Sequence, residues 1–134
     1  DPIQAKRMST YFEVTSLGRR TPGDIRLLLT GRPFRFPGGS ILTLGRNEGE
    51  NKFLLGLKGE GDEFVRVMGA PGPLGVFRAA DGMDERALAA AVLLRYCPKA
   101  PDVAKVSFGD SPDEEAVVVE VSRPSAEELE MWRA

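Results

Sequence analysis

Histidine is absent from this 134-residue sequence, and cysteine occurs once, at Cys97. The absence of histidine excludes zinc sites that use imidazole and every Ser-His or Cys-His catalytic pair. One cysteine cannot form an intramolecular disulfide, and without an imidazole to activate its thiol we expect Cys97 to be a packing residue. We therefore expect no catalytic residue, metal site or cofactor in this domain.

Long apolar runs are also missing. The longest, residues 87–94, is far shorter than the roughly 20 residues needed to cross a bilayer. The N-terminus, Asp1-Pro2-Ile3, lacks an initiator methionine and the charged and apolar regions of a signal peptide. Together with the single cysteine, these features predict a cytoplasmic protein with no membrane contact.

The composition supports one folded core, because 42% of the residues are hydrophobic and 28% are charged. Residues 1–21 show no clean hydrophobic period. We expect residues 1–30 to be a linker that leads in from an upstream domain of a longer protein, and residues 31–134 to form one domain.

Charge is unevenly distributed along the chain, although the net charge is only -2. The first 60 residues carry a net +4, and the remaining residues carry a net -6. This polarity fits a domain with one basic face that meets an anion and one acidic face that keeps it soluble. Chance variation over a short chain is the alternative.

Hydrophobic periodicity and turn residues predict an α+β fold with the order ββαββαββα. The sheet is expected to be mostly antiparallel and built of hairpins, with two main helices and a C-terminal helix. Asn47 with Glu50, and Ser125 with Glu128, have the spacing of capping boxes and mark two helix starts. The predicted strands cover residues 34–36, 41–44, 64–68, 75–78, 103–109 and 116–122, and the long central helix covers about residues 84–97.

One candidate anion site lies where a strand is predicted to enter a helix, at Gly45-Arg46-Asn47. Free backbone N–H groups, the positive end of the helix and a guanidinium would converge there, as in a phosphate cradle. The glycine spacing matches neither a Walker A loop nor a dinucleotide fingerprint. An ordinary capped helix with an exposed Arg46 is the alternative.

A second candidate is a basic face of the sheet. Arginines on neighbouring predicted strands could contact phosphate while nearby rings stack on bases. Strand parity, however, places Phe34 and Phe36 opposite Arg35, which weakens stacking and leaves phosphate contact. The residues proposed for this face are Arg32, Arg35, Arg66 and Arg78, with Phe34, Phe36 and Phe64 as the nearby rings or, alternatively, as core residues.

Carboxylates offer little for catalysis. Those of the turn at residues 110–115 and of the terminal helix are expected to be solvated. Asp62-Glu63 opens a strand beside the predicted basic face, but general acid–base catalysis would need a shifted pKa. No catalytic pair is predicted.

Three segments together resemble the RNA-binding (R) domain of the NFACT family: residues 41–51 (ILTLGRNEGEN), 62–67 (DEFVRV) and 71–78 (PGPLGVFR). An alanine-rich helix follows, and the resemblance spans about residues 32–123. The version that the chain most resembles lies at the C-terminus of bacterial tRNA thiouridine synthases. There a GRxFR segment, here residues 31–35, precedes a GRNxxEN segment, here residues 45–51.

The resemblance implies a noncatalytic domain that binds tRNA or another structured RNA for an upstream, ATP-dependent sulfur-insertion domain. ATP would be bound by that upstream domain. The alternative is a protein-interaction module that docks onto its own upstream catalytic domain through the acidic C-terminal half.

The resemblance also suggests site residues, with departures from the family pattern. Members commonly carry tryptophan and histidine on the strand that here contains Phe64 and Arg66, and histidine where this chain has Leu74. Stacking is then left to Phe64, while the arginine retains phosphate contact. The predicted RNA-binding residues are Arg32, Arg35, Gly45, Arg46, Asn47, Asn51, Phe64, Arg66 and Arg78.

Overall fold

The computed structural model describes residues 29–134. Nearly all of the expected linker, residues 1–30, lies outside the described residues. Within them the predicted order ββαββαββα is confirmed. The elements are β1 (Arg32–Arg35), β2 (Ile41–Leu44), α1 (Glu48–Leu57), β3 (Glu63–Val67), β4 (Gly75–Arg78), α2 (Arg86–Arg95), β5 (Val103–Gly109), β6 (Val117–Ser122) and α3 (Ala126–Trp132).

The strands form a six-stranded sheet in the order β1-β2-β4-β3-β5-β6. Every neighbouring pair is antiparallel, so the predicted α+β class is confirmed. The expected hairpins β1–β2, β3–β4 and β5–β6 are all present. Strand β4 pairs with β2, and β3 pairs with β5, so these contacts join the three hairpins into one sheet.

The main core lies on the sheet face that α2 and α3 cover. Phe77 packs edge-on against Phe108, and Phe36 packs against Trp132 of α3. Helix α2 is apolar around most of its circumference and buries Ala89, Ala90, Val92, Leu93 and Leu94. Burial of a mostly apolar helix against a sheet removes its side chains from water, which is the dominant stabilisation of this half of the domain.

A smaller core lies on the other face, beneath α1. It consists of Leu54 from the helix and Phe64, Leu74 and Val76 from the sheet side. Only Leu54 of α1 is fully buried, while Phe53 and Leu55 remain exposed. Helix α1 is therefore attached through a narrow stripe, and its position depends on the polar contacts at its N-terminus.

Helix α2 is shorter than predicted at both ends. Asp84 lies outside it, and its carboxylate accepts a hydrogen bond from the N–H of Arg86. Beyond the last turn, the Arg123 guanidinium donates to the carbonyls of Leu94, Cys97 and Ala100. Arg123, which directly follows β6, thus supplies hydrogen bonds to carbonyl groups at the end of α2 and in the turn after it.

Cys97 has the packing role expected for it. The side chain is buried, and burial raises the pKa of the thiol to about 11. The thiol donates to the Leu93 carbonyl, 3.3 Å away. It is therefore protonated at neutral pH and unsuited to act as a nucleophile.

A buried carboxylate holds the β1–β2 turn. Glu85 is only 2% exposed, and its two oxygens accept hydrogen bonds from the N–H groups of Gly38, at 2.8 Å, and Ser40, at 3.1 Å. These contacts attach the turn to the start of α2. Since the turn sets the register of β1 against β2, Glu85 supports the edge of the sheet from which Arg32 projects.

We predict that Glu85→Ala lowers the free energy of unfolding by about 2–4 kcal/mol, because it leaves two partly or fully buried N–H groups without acceptors. Urea denaturation at neutral pH would measure the change. Glu115→Ala, an exposed carboxylate in the β5–β6 connection, is the control and should change stability by less than about 0.5 kcal/mol. A loss below about 1 kcal/mol for Glu85→Ala would contradict the role assigned to it.

Candidate functional site

A groove of about 440 Å³ opens where β2 meets α1. One wall is the strand–helix corner, the second is the loop 71–73, and the third is the end of α2 with the residues that follow it. Three of its lining residues are cationic and one is anionic. The lining consists of Arg32, Leu44, Gly45, Arg46, Asn47, Glu48, Asn51, Pro71, Gly72, Pro73, Tyr96, Pro98 and Lys99.

Gly45 and Asn51 hold the first two walls together. The Gly45 N–H donates to the Leu74 carbonyl at 3.0 Å, and the Leu74 N–H donates to the Asn51 side-chain oxygen at 3.3 Å. A Cβ at Gly45 would overlap the Asn51 side-chain oxygen, so this close approach requires glycine. Two residues of the GRNxxEN segment thus fix the shape of the groove.

Asn47 caps α1, as predicted, and its side-chain oxygen accepts from the Glu50 N–H at 2.9 Å. The expected reciprocal contact is not made, so the capping box predicted here is wrong in its second half. Glu50 instead accepts from the backbone N–H of Arg46 at 2.8 Å. The Arg46 guanidinium competes for the same carboxylate, and a charge-assisted pair is stronger than a neutral cap contact.

The Arg46–Glu50 ion pair fixes the direction of the guanidinium. Nε and Nη2 of Arg46 donate to the two Glu50 oxygens, at 3.0 and 2.7 Å. This hydrogen bonding lowers the pKa of Glu50 to about 2 and raises that of Arg46, so both stay charged at neutral pH. Since 49% of the Arg46 side chain is exposed, the groove has an ordered cation at its mouth.

The predicted phosphate cradle therefore lacks two of the free backbone N–H groups expected for it. The Arg46 N–H is taken by Glu50, and the Glu50 N–H by Asn47. Anion binding at this corner would depend on side-chain cations more than on the free end of the helix.

Tyr96 and Lys99 are groove residues that the sequence analysis missed. The Arg32 guanidinium lies over the Tyr96 ring, 4.6 Å from its centroid, and Phe34 supports that ring from the core. In residues 29–134 neither Arg32 nor Lys99 forms an ion pair with a carboxylate. Arg32 lies on β1 and Lys99 follows α2, so the two residues are far apart in the sequence. No local motif could therefore have indicated that both line one groove.

The basic face predicted for the sheet is formed only in part, because the strand register places Arg35, Arg66 and Arg78 on one face and Arg32 on the other. Arg32 and Arg35 are three residues apart on β1, so their side chains leave opposite faces of the sheet. Arg78 is 16% exposed, and its Nε and Nη2 donate to Asp62 at 3.0 and 2.7 Å. A buried guanidinium with a bidentate carboxylate partner has a structural role. Phe34 and Phe36, offered as rings near this face, are core residues.

Phe64 and Arg66 differ in what they can contact. The Phe64 side chain is 6% exposed beneath α1, so the stacking role suggested for it is wrong, because the ring is covered by apolar neighbours and by Lys58, whose Nζ lies 6.0 Å from the ring centroid. Arg66 is exposed and forms one long ion pair, 4.0 Å, with Asp113. Arg66 remains able to contact phosphate.

The acidic residues also have structural partners. Glu63 accepts two hydrogen bonds from Arg86, at 2.8 and 3.2 Å, and Asp62 pairs with Arg78. Across residues 29–134 no group of three or more Cys, Asp or Glu side chains could hold a metal ion. None of the helices in this part of the chain could span a membrane.

The fold and the groove define a small α+β domain with a groove lined by three cationic side chains. The family described as the NFACT protein RNA binding domain matches residues 31–133, and the chain belongs to this family. The resemblance to the NFACT R domain noted in the sequence is confirmed by this match.

A solved structure has a similar fold, the C-terminal part of the fibronectin/fibrinogen-binding protein from Streptococcus suis. The TM-score is 0.61 at 15% sequence identity, over 96% of this chain and 68% of that one. At this identity the likeness concerns the fold alone. Among curated proteins, no sequence matches this chain.

We predict that Gly45→Ala lowers the free energy of unfolding by about 1–3 kcal/mol, because its methyl group displaces the Asn51 side chain. In a double-mutant cycle with Asn51→Ala, the loss should be less than additive by about 1 kcal/mol, since the second change removes the overlap. Denaturant unfolding of the four proteins measures this coupling.

Gly56→Ala is the matched control for this cycle. Gly56 lies in α1, the helix that contains Asn51, and a Cβ there would meet no atom within 4 Å. It should leave stability unchanged or raise it by up to about 1 kcal/mol, as expected for alanine in a helix. Additive losses for Gly45→Ala and Asn51→Ala would show that the two residues do not depend on each other.

Proposed function

We propose that this domain binds RNA, with tRNA as its principal partner, through the groove between β2, α1 and the end of α2. The observation that carries the proposal is the charge of the groove, which has three cations and only one carboxylate in its lining. Membership of an RNA-binding domain family supports RNA as the partner.

The chemistry of the three cations suits a phosphate backbone. Arg46 is held in one direction by Glu50, and Arg32 is held against Tyr96, so ordering them on binding costs little side-chain entropy. Lys99 adds an exposed ammonium on a flexible four-carbon stem. Neutralising phosphates with such groups releases counterions, and this release provides most of the salt-dependent affinity for nucleic acids.

Arg66 is the second contact that we propose. It lies on β3, exposed, and its ion pair with Asp113 is long enough to be exchanged for a phosphate. Arg35 lies on the same face of the sheet as Arg66 and is a further candidate for phosphate contact. Asn47 and Asn51 contribute by shaping the corner rather than by charge.

The parent protein, in our proposal, is a tRNA sulfurtransferase whose ATP-dependent catalytic domain lies upstream of this one. The support is the resemblance of residues 31–35 and 45–51 to the domain at the end of bacterial tRNA thiouridine synthases. Deletion of the coding sequence of this domain should reduce the thiouridine content of cellular tRNA, measured by mass spectrometry of nucleosides. Unchanged thiouridine would reject this parent and leave RNA binding untouched.

Docking onto an upstream catalytic domain is the second candidate function. The observation that favours it is the surface of α3, where Glu127, Glu130 and Met131 are all exposed. Glu128 belongs to the α3 capping box and serves the helix itself. A docking surface would therefore use Glu127 and Glu130.

We predict that the domain binds bulk tRNA more tightly than heparin of similar size, and that log affinity falls linearly with log salt. Arg46→Ala and Lys99→Ala should each reduce this slope by about one phosphate contact. Fluorescence anisotropy with labelled tRNA across a salt series provides the measurement.

Lys105→Ala is the matched control, because Lys105 is an exposed lysine on β5 outside the groove lining. An equal effect of Lys105→Ala and Lys99→Ala would mean that the charge of the whole surface binds RNA and the groove has no special part. Absent or equal binding of tRNA and heparin would reject RNA recognition and favour docking.

A further inference from the structure

The groove combines cations with a supported aromatic ring, which a site for phosphate alone would not need. Tyr96 is fixed on two sides. Its ring packs against Phe34 with centroids 6.1 Å apart, and its hydroxyl oxygen accepts from Arg133 at 3.1 Å. A ring held in this way cannot easily rotate, so it offers a flat surface of fixed direction.

The Arg32 guanidinium extends that surface into the groove. It lies over the Tyr96 ring, with 4.6 Å between the guanidinium carbon and the ring centroid. Arg32 is exposed, and no carboxylate among residues 29–134 pairs with it. A guanidinium plane supported by a ring is a platform on which an unpaired nucleobase can stack, through both π contact and charge.

The remaining lining fits the rest of a nucleotide. Arg46 and Lys99 can neutralise a phosphate, and the Asn47 and Asn51 amides provide hydrogen-bonding groups beside them. Pro71, Pro73 and Pro98 supply apolar walls. The groove volume of about 440 Å³ lies within the range of about 300–1,000 Å³ typical of small-molecule sites and is far too small for a stacked duplex.

We infer that the groove takes one unpaired ribonucleotide of an RNA strand, with its base stacked on the Arg32–Tyr96 platform and its phosphate held by Arg46 and Lys99. This inference rests on the proposed RNA-binding function and adds what the groove selects. It selects a nucleotide in a loop, bulge or free end, because a base within a duplex already has stacking partners on both faces.

The test compares a labelled single-stranded RNA with a blunt-ended, two-stranded RNA duplex of the same total composition and number of phosphates, at fixed salt, using the full 134-residue chain. The single strand should bind at least about fivefold more tightly, as one base stacked on an aromatic platform provides. Arg32→Lys keeps the charge but removes the plane, and should lower the ratio of single-strand to duplex affinity about fivefold or more.

Arg95→Lys is the matched control, since Arg95 is an exposed arginine of α2 outside the groove lining, and it should leave the ratio at the wild-type value. Tyr96→Leu should lower the ratio like Arg32→Lys. Circular dichroism of each variant shows whether it is folded, and Arg32→Lys, at an exposed position, keeps the test usable if Tyr96→Leu is unstable.

The possible failures are distinguishable. If tRNA does not bind at all, the proposed function is wrong. If tRNA binds while single strand and duplex bind equally, or Arg32→Lys leaves the ratio unchanged, the proposed function stands and the inference is overturned. Competition by free adenosine or uridine monophosphate as strong as that of the oligonucleotide would assign the groove to free nucleotides and overturn the RNA-linked ligand.

Discussion

The contact between Gly45, Asn51 and Leu74 is the constraint on which the candidate site depends. Helix α1 is attached to the sheet by few buried side chains, and Leu54 is its only fully buried residue. The Asn51 amide joins the helix to Leu74, directly after the loop 71–73, and the glycine lets the end of β2 approach that amide closely. Without this contact two walls of the groove would have no fixed separation.

The same corner sets the electrostatics. Asn47 caps the helix with its side chain, and the Glu50 carboxylate takes no part in the cap. Glu50 then orients Arg46, and their ion pair lowers the pKa of Glu50 and raises that of Arg46, so both groups stay charged. The corner therefore acts as one local structure. Gly45, Asn47 and Asn51 fix its shape, and the Arg46–Glu50 ion pair gives it a charge of fixed direction.

The arginines of this domain serve two physical purposes. Arg78 and Arg123 donate hydrogen bonds to internal partners. Arg78 donates to a buried carboxylate, and Arg123 donates to carbonyls at the end of α2. Arg32 and Arg46 present their charge at the groove. The difference follows from burial, because a guanidinium withdrawn from water must satisfy its donors within the protein, whereas an exposed one can exchange water for a phosphate.

Local patterns predicted much of the fold correctly. Alternation identified the strands, the caps at Asn47 and Ser125 placed two helix starts, and parity placed Phe34 and Phe36 opposite Arg35. Parity also places Arg32 and Arg35 on opposite faces, so the prediction of four arginines on one face is wrong for Arg32. The burial of Phe64 was beyond such patterns, since it depends on α1 crossing that face of the sheet.

The sequence by itself determined the elements, their order and the residues of the strand–helix corner, because helix caps, strand alternation and close glycine contacts depend on near neighbours in the chain. Only the tertiary structure decided which cations face a ligand. Arg32, Arg46, Tyr96 and Lys99 come from β1, the β2–α1 corner and the end of α2, and only the sheet order and the packing of α2 bring them to one groove. Burial then decides which arginines remain available, and burial is a property of the whole fold.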